Sequence, residues 1–332
     1  MKNVLLIYTG GTIGMQKEKE SSSLKPVDFK KLTSSLPELQ NLELRVHHTS
    51  LKKVIDSSNM DKNYWREIAE IIQLHYESMD GFVVLHGSDT MAYTASALSF
   101  MIEGLNKAIV FTGSQIPIGS RRTDAKENLI TSIEIAVSGK ITEVCIYFEN
   151  KLLRGNRTVK VNSEQFEAFD SPNYPPLADV GISIKYDDNN LLKSDKLDLK
   201  INTNFSDDVA ILKLFPGITK KVVSAILGSS NNIILETFGA GNATNKKWFI
   251  NLLKVTIEKG VFIVNCSQCL TGLVKQGEYE TSSDLNKIGV VSSKDMTTES
   301  AITKLMYLDG ICSSLEEKKD LFIKSLRGEI SN

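Results

Sequence analysis

The chain has 332 residues and carries 39 Lys+Arg against 40 Asp+Glu, a net charge of −1. At about 150 residues per domain this length suggests roughly two domains, and 41% apolar with 24% charged residues is enough to give each half a core of its own. The neutral balance offers no basic excess to nucleic acid or to an anionic membrane, so neither is expected as a partner.

Met1-Lys2-Asn3 precedes five apolar residues, Val4 to Tyr8, and then Thr9-Gly10-Gly11. A secretory segment needs about 7–15 apolar residues, and no window approaches the roughly 20 of a membrane span. A cytoplasmic, soluble protein is expected.

Val4–Tyr8 reads as the first buried strand, closed by a Thr-Gly-Gly turn. Asp61 is placed to cap a helix to about Ser78, with Trp65, Ile68, Ile72 and Tyr76 at 3.6-residue spacing. Gly81–Leu85 reads as a strand ended by His86-Gly87-Ser88-Asp89, and Thr90–Leu105 as an Ala- and Met-rich helix. Ala108–Phe111 and Val144–Phe148 are further strands. Between them Asp124-Ala125-Lys126-Glu127 resembles a capping pair for a helix to Ser138. Short Val- and Ile-rich runs bounded by Gly and alternating with helices predict a doubly wound, mainly parallel α/β sheet.

Residues 187–208 are dense in Asp, Asn and Lys and read as a linker after an N-terminal α/β domain spanning 1–186. Alternation then resumes. Val209–Leu214, Asn232–Glu236 and Val261–Asn265 read as strands, and Lys246–Glu258, Thr298–Asp309 and Ser314–Ser325 as helices. They predict a smaller C-terminal α/β domain over 209–332. The C-x-x-C of Cys266 to Cys269 has no second ligand pair spaced for zinc. A redox pair would need a helix starting at once. The motif reads as small residues at a strand end.

Ligands of open α/β sheets bind beyond the carboxyl ends of the strands. Those ends are rich in hydroxyls here: Thr9 and Thr12, Ser88 and Thr90, Thr112 and Ser114. Thr9-Gly10-Gly11-Thr12-Ile13-Gly14 is neither G-x-G-x-x-G nor a P-loop. The acidic residue a dinucleotide site would need, Asp28, follows no strand. The nucleophile-elbow pattern G-x-S-x-G is absent, His86 reads as a satisfied strand-end residue, and only four His are available for a metal. A hydroxyl nucleophile without histidine remains, and such a nucleophile needs Lys or a charged relay as its base. The run Arg154–Lys160 supplies an ammonium beyond a turn; by itself it would be a solvated loop.

Thr9–Gly14, His86–Tyr93, Thr112–Gln115 and Arg154–Lys160 together closely resemble the bacterial L-asparaginases of the cytoplasmic, type I branch. The resemblance runs nearly end to end, including Asp295-Met296-Thr297 and Leu326–Glu329. It implies a larger N-terminal and a smaller C-terminal α/β domain, assembled as homodimers or homotetramers. The implied reaction is hydrolysis of L-asparagine to L-aspartate and ammonia, without metal or cofactor. Carried over by motif, Thr12 is the nucleophile, and Ser88, Asp89 and Lys160 form the relay. Asp56, Ser57, Gly87, Ser88 and Asp89 bind the substrate.

Ser88 stands where the family has threonine, a loss of one methyl worth about 1 kcal/mol of packing; weakened orientation rather than abolished chemistry is expected. The lid after the first motif, Met15–Pro26, lacks the family's tyrosine, and Leu24 lies nearest its place. Glu236 stands where some relatives carry an arginine for a regulatory asparagine, so no effector site is assigned. Two other readings compete: an amino-acid-binding homologue with vestigial catalysis, and an amidase for glutamine or a tRNA-linked amide.

Overall fold

The computed structural model describes residues 1–17, 24–26, 43–193, 198–277 and 280–331, which form two compact units. The first comprises Met1–Ser171 and Pro175–Thr203, and the second Pro172–Tyr174 and Asn204–Asn332.

The first unit is built on an eight-stranded sheet. Five parallel strands lie side by side in the order Leu44–Ile55, Lys2–Gly10, Gly81–Leu85, Ile109–Thr112, Val144–Phe148. The chain thus moves outward from its first strand, returns past it, and continues on the other side. That reversal creates a crevice between Lys2–Gly10 and Gly81–Leu85, where ligands of such sheets bind. Val4, Leu6, Val83, Val84, Ile109 and Val110 are fully buried in the central strands, as continuous apolar runs in a two-sided parallel sheet must be.

Three antiparallel strands complete the sheet: Lys151–Arg154, Ala178–Val180 and Ile184–Tyr186. Glu149 and Asn150, at φ 40° and 65°, make the two-residue turn into the first of them, the mirror-image geometry that matches strand twist. The strand Leu44–Ile55 is missing from the sequence reading. It is an edge strand in which only Leu51 and Ile55 are buried. Its Lys and His residues hide the pattern, as charges on sheet edges do.

The predicted helices form with local differences. Asp61 caps Lys62–His75 by accepting from the Asn63 and Tyr64 amides, and a 3-10 turn carries the chain on to Ser78. Met91–Met101 is shorter than expected, because Ile102–Glu103 leaves the helix to pair with Lys200–Ile201. Asp124 does not cap Ala125–Val137. Its carboxylate instead accepts from the amides of Gln115 at 2.9 Å and Ile116 at 3.1 Å, pinning the turn after Thr112. In the expected lid, Met15–Lys17 pairs antiparallel with Leu24–Pro26. The remainder of that segment, and Asp28, lie outside the described residues.

The second unit carries a parallel sheet in the order Ala210–Lys213, Asn232–Thr237, Phe262–Ser267, Val291–Ser292. Helices Lys220–Leu227 and Lys247–Glu258 place Val223, Leu227, Phe249 and Leu253 against Ile233, Leu235 and Ile263. Helices Thr298–Ile311 and Leu315–Phe322 close the unit, with Phe322 packed edge-on to Phe262 at 5.6 Å. Cys266 is buried at the end of its strand and Cys269 is exposed; both are free thiols. Among the described residues no helix is long and apolar enough to cross a membrane.

Candidate active site

Three loops converge at the sheet's crevice, and glycines permit the approach. Gly10 sits at φ 131°, where a Cβ would lie 1.9 Å from the Ile55 carbonyl oxygen. At Gly11, φ 86°, a Cβ would lie 2.6 Å from Gly87 Cα. At Gly87 it would lie 2.4 Å from Ser57 Oγ. The loop after the first strand is thereby pressed against the His86–Asp89 loop, and that loop against the Asp56–Ser57 turn. Thr12 and Ser88 each stand one residue beyond the Gly11–Gly87 contact.

Gly11→Ala is expected to destabilise the first unit by about 2–4 kcal/mol, because it adds a backbone clash to a strained φ. The loss should appear as a lower urea midpoint, and wild-type stability would refute the contact.

The strand-end hydroxyls divide into two groups. Thr9 donates to the Leu85 carbonyl at 3.0 Å, Thr112 to that of Tyr147 at 3.0 Å, Ser114 to that of Ile116 at 2.7 Å and Thr90 to that of Ser57 at 2.7 Å. These four stitch the backbone together. Of the six strand-end hydroxyls, those of Thr12 and Ser88 are the two not committed to a backbone carbonyl.

Lys160 Nζ lies 2.9 Å from Ser88 Oγ and 2.6 Å from Asp89 Oδ1, so one nitrogen bridges both groups. The Lys160 side chain is 18% exposed and that of Asp89 63%, so the carboxylate faces solvent while the Lys160 amine is largely covered. Lys160 is delivered by a short strand, Val159–Lys160, paired with Phe169–Asp170. The run leading to it is not a solvated loop. Arg154 and Arg157 are 3% and 1% exposed. Arg154 forms a two-point pair with Glu143, at 2.6 and 3.3 Å, and also donates to the Asn190 carbonyl. A guanidinium fork satisfied on several sides can be buried; the sequence reading missed this, and Glu143 was the partner it lacked.

Asp56 begins the 3-10 turn Ser57–Asn59 and accepts from the Ser58 amide at 2.8 Å and the Ser58 hydroxyl at 2.7 Å. These bonds hold its carboxyl below the usual range, leaving an anion at the surface beside the crevice. Ser57 is buried and Gly87 lies against it.

His86 belongs to the core. It is fully buried, with Nδ1 2.7 Å from the Gly87 carbonyl oxygen, so Nδ1 carries the hydrogen. Nε2 is buried without a partner among the described residues. Burial pushes the imidazole down to about 4, against the raising effect of the Gly87 carbonyl. A second N–H would have nothing to bond. Because the unfolded chain binds this proton near pH 6.5 and the folded chain does not, stability is present above pH 6.5 and is lost as pH falls toward 4. At pH 4.5 the loss from this group is on the order of 2–3 kcal/mol. Urea melts of wild type and His86→Gln at pH 7.5 and 4.5 should differ in their pH dependence by that amount. Parallel pH profiles would show that His86 does not titrate differently on folding.

In the second unit, Glu236 is buried at its strand end, accepting from Thr298 Oγ1 at 3.0 Å and pairing with Lys213 Nζ at 3.2 Å. Its charge is thus already matched by its own neighbours.

A mainly parallel sheet whose crevice holds a hydroxyl–carboxylate–ammonium cluster defines a hydrolase-like α/β architecture, and comparison with known proteins is specific. Residues 3–192 match the family described as Asparaginase, N-terminal, and residues 208–322 the Glutaminase/Asparaginase C-terminal domain. L-asparaginase 1 of Escherichia coli is 38% identical over 334 residues, covering 99% of this chain and 98% of that protein. The crystal structure of L-asparaginase I from Vibrio cholerae superposes with a TM-score of 0.93 at 40% identity, covering 100% of this chain and 99% of that one. The thermostable L-asparaginase from Thermococcus kodakarensis superposes with a TM-score of 0.93 at 28% identity, covering 99% of each chain. The chain belongs to the asparaginase/glutaminase family and is of its type I kind.

Proposed function

We propose that this chain hydrolyses the side-chain amide of L-asparagine to L-aspartate and ammonia, with Thr12 as nucleophile and Ser88, Asp89 and Lys160 as its proton relay. The observation that carries the reading is Lys160 Nζ lying between Ser88 Oγ and Asp89 Oδ1 beside the Gly11–Gly87 contact. Full-length likeness to L-asparaginase 1 of Escherichia coli supports the substrate.

Thr12 Oγ1 attacks the amide carbon as its proton passes to Ser88 Oγ and the Ser88 proton passes to Lys160 Nζ, which enters the step as the neutral amine. The C–N bond of the tetrahedral intermediate then breaks, and the nitrogen leaves with a proton from the same relay. Water hydrolyses the resulting ester and restores Thr12. Backbone N–H groups at the start of Met91–Met101 are suited to the oxyanion, and one such donor is worth about 2.7–4 kcal/mol. Asp89 is open enough to take the substrate ammonium, and Asp56 and Ser57 grip the α-substituents. The reaction needs no metal or cofactor. The reading is of a cytoplasmic homodimer or homotetramer.

Incubation with L-asparagine should release ammonia and L-aspartate one to one, and faster than L-glutamine is consumed. The two differ by one methylene, which a pocket discriminates by about 1–3 kcal/mol. Absence of ammonia, with L-aspartate or L-asparagine still raising the melting temperature, would replace the hydrolase by an amino-acid-binding protein. Faster release from L-glutamine would replace the substrate.

A further inference from the structure

We infer that Thr90 is a positioning residue, a latch that fixes the substrate-gripping turn Asp56–Asn59 against the relay loop Gly87–Asp89. The inference rests on the function proposed above and adds a residue to it.

Thr90 occupies the N-cap position of Met91–Met101, where a threonine hydroxyl ordinarily accepts from its own helix. Two other threonines of this chain do so: Thr219 accepts from the Val222 amide and Thr297 from the Ser300 amide. Thr90 makes no such cap. Its hydroxyl donates across the crevice to the Ser57 carbonyl at 2.7 Å. That carbonyl already accepts from the Met60 amide at 3.1 Å, which closes the 3-10 turn. Both lone pairs of the Ser57 oxygen are therefore occupied, one by the turn and one by the helix start.

The geometry gives the latch a specific task. Ser88 and Asp89 are held independently by Lys160. The Asp56 turn is held internally by Ser58 and Asn59. Between these two assemblies stand the packing of Gly87 on Ser57 and the Thr90 bond. The packing sets the closest approach, and the hydrogen bond sets the angle. Without it the turn keeps its shape but its carboxylate and Ser57 are free to rotate away from the relay. The consequence falls on binding of the amino-acid end, which is common to ground state and transition state. Such an interaction moves KM and leaves kcat.

Thr90→Val removes the hydroxyl and keeps the shape, and Thr90→Ser keeps the hydroxyl. KM for L-asparagine and Kd for L-aspartate, read from thermal shift, should both rise about tenfold in Thr90→Val, the effect of one hydrogen bond. The change in kcat should stay within about threefold, and Thr90→Ser should return both constants near wild type. Thr219→Val, which loses a true cap, should lower the melting temperature without moving either constant. An unchanged Kd in Thr90→Val overturns the latch alone. So does a loss of kcat and stability that serine fails to rescue. A wild type that binds L-aspartate without turnover still tests the latch through Kd. A wild type that binds neither amino acid overturns the proposed function and the latch with it.

Discussion

Thr12→Ala should keep its fold and its affinity for L-aspartate while releasing ammonia from L-asparagine at least about 10⁴-fold more slowly than wild type, the scale on which loss of a nucleophile acts. The expectation follows from how the strand-end hydroxyls are used. Thr9, Thr112, Ser114 and Thr90 are engaged with carbonyl oxygens, so none of them is available to attack. Ser88 is the alternative nucleophile, since it sits on Lys160. In the proposed arrangement it hands on a proton, and its removal should cost only the 10²–10⁴-fold typical of acid–base assistance. Ammonia assays on Thr12→Ala and Ser88→Ala decide between the two. An active Thr12→Ala beside a dead Ser88→Ala would exchange their roles. The missing methyl at Ser88 makes the comparison informative, because a serine there is freer to adopt either part.

Lys304→Met should destabilise the second unit by about 3–5 kcal/mol, the usual result of removing one member of a buried ion pair. Lys304 and Glu329 are both 0% exposed and in direct contact. The ammonium also donates to the Phe322 carbonyl at 2.8 Å and lies over the Phe322 ring. Glu329 in turn accepts from the amides of Leu326 and Arg327. Burial drives the Lys304 amine below its ordinary range, with Glu329 opposing. Take the lysine away and a carboxylate is left in the core, short of its counter-charge. Lys304→Met with Glu329→Gln should recover part of the loss, since the amide still accepts from the backbone without carrying charge. The chain has two tryptophans. In a Trp65→Phe background, Trp248 fluorescence during urea unfolding reports the second unit alone. Equal midpoints for Lys304→Met and its parent would show that the pair contributes nothing net.

Together these two expectations separate what each unit does. The first holds the proposed chemistry at the crevice of its sheet. The second gains its stability from a parallel sheet, two covering helices and a buried charge pair that anchors residues 326–329.

Much of this molecule is legible in its sequence, where the deciding interactions are local. Short apolar runs such as Gly81–Leu85 and Ile233–Leu235 announce strands buried on both faces. Asp61 announces the helix it caps, because a cap acts within three residues. Thr12, Ser88, Asp89 and Lys160 are marked in the sequence through its resemblance to the L-asparaginases, and their roles are those proposed above. Tertiary structure alone decided the rest, because each remaining choice depends on a partner distant in the chain. Asp124 leaves its own helix for amides of the preceding turn, and Arg154 is buried because Glu143 faces it. The edge strand Leu44–Ile55 is recognised only beside Lys2–Gly10. Ser88 and Lys160, 72 residues apart, meet only when the hairpin after Val144–Phe148 returns. Composition and period are properties of a segment, whereas a hydrogen bond across the crevice belongs to the fold, and Thr90 turns from capping its helix to holding Ser57 only when that fold has formed.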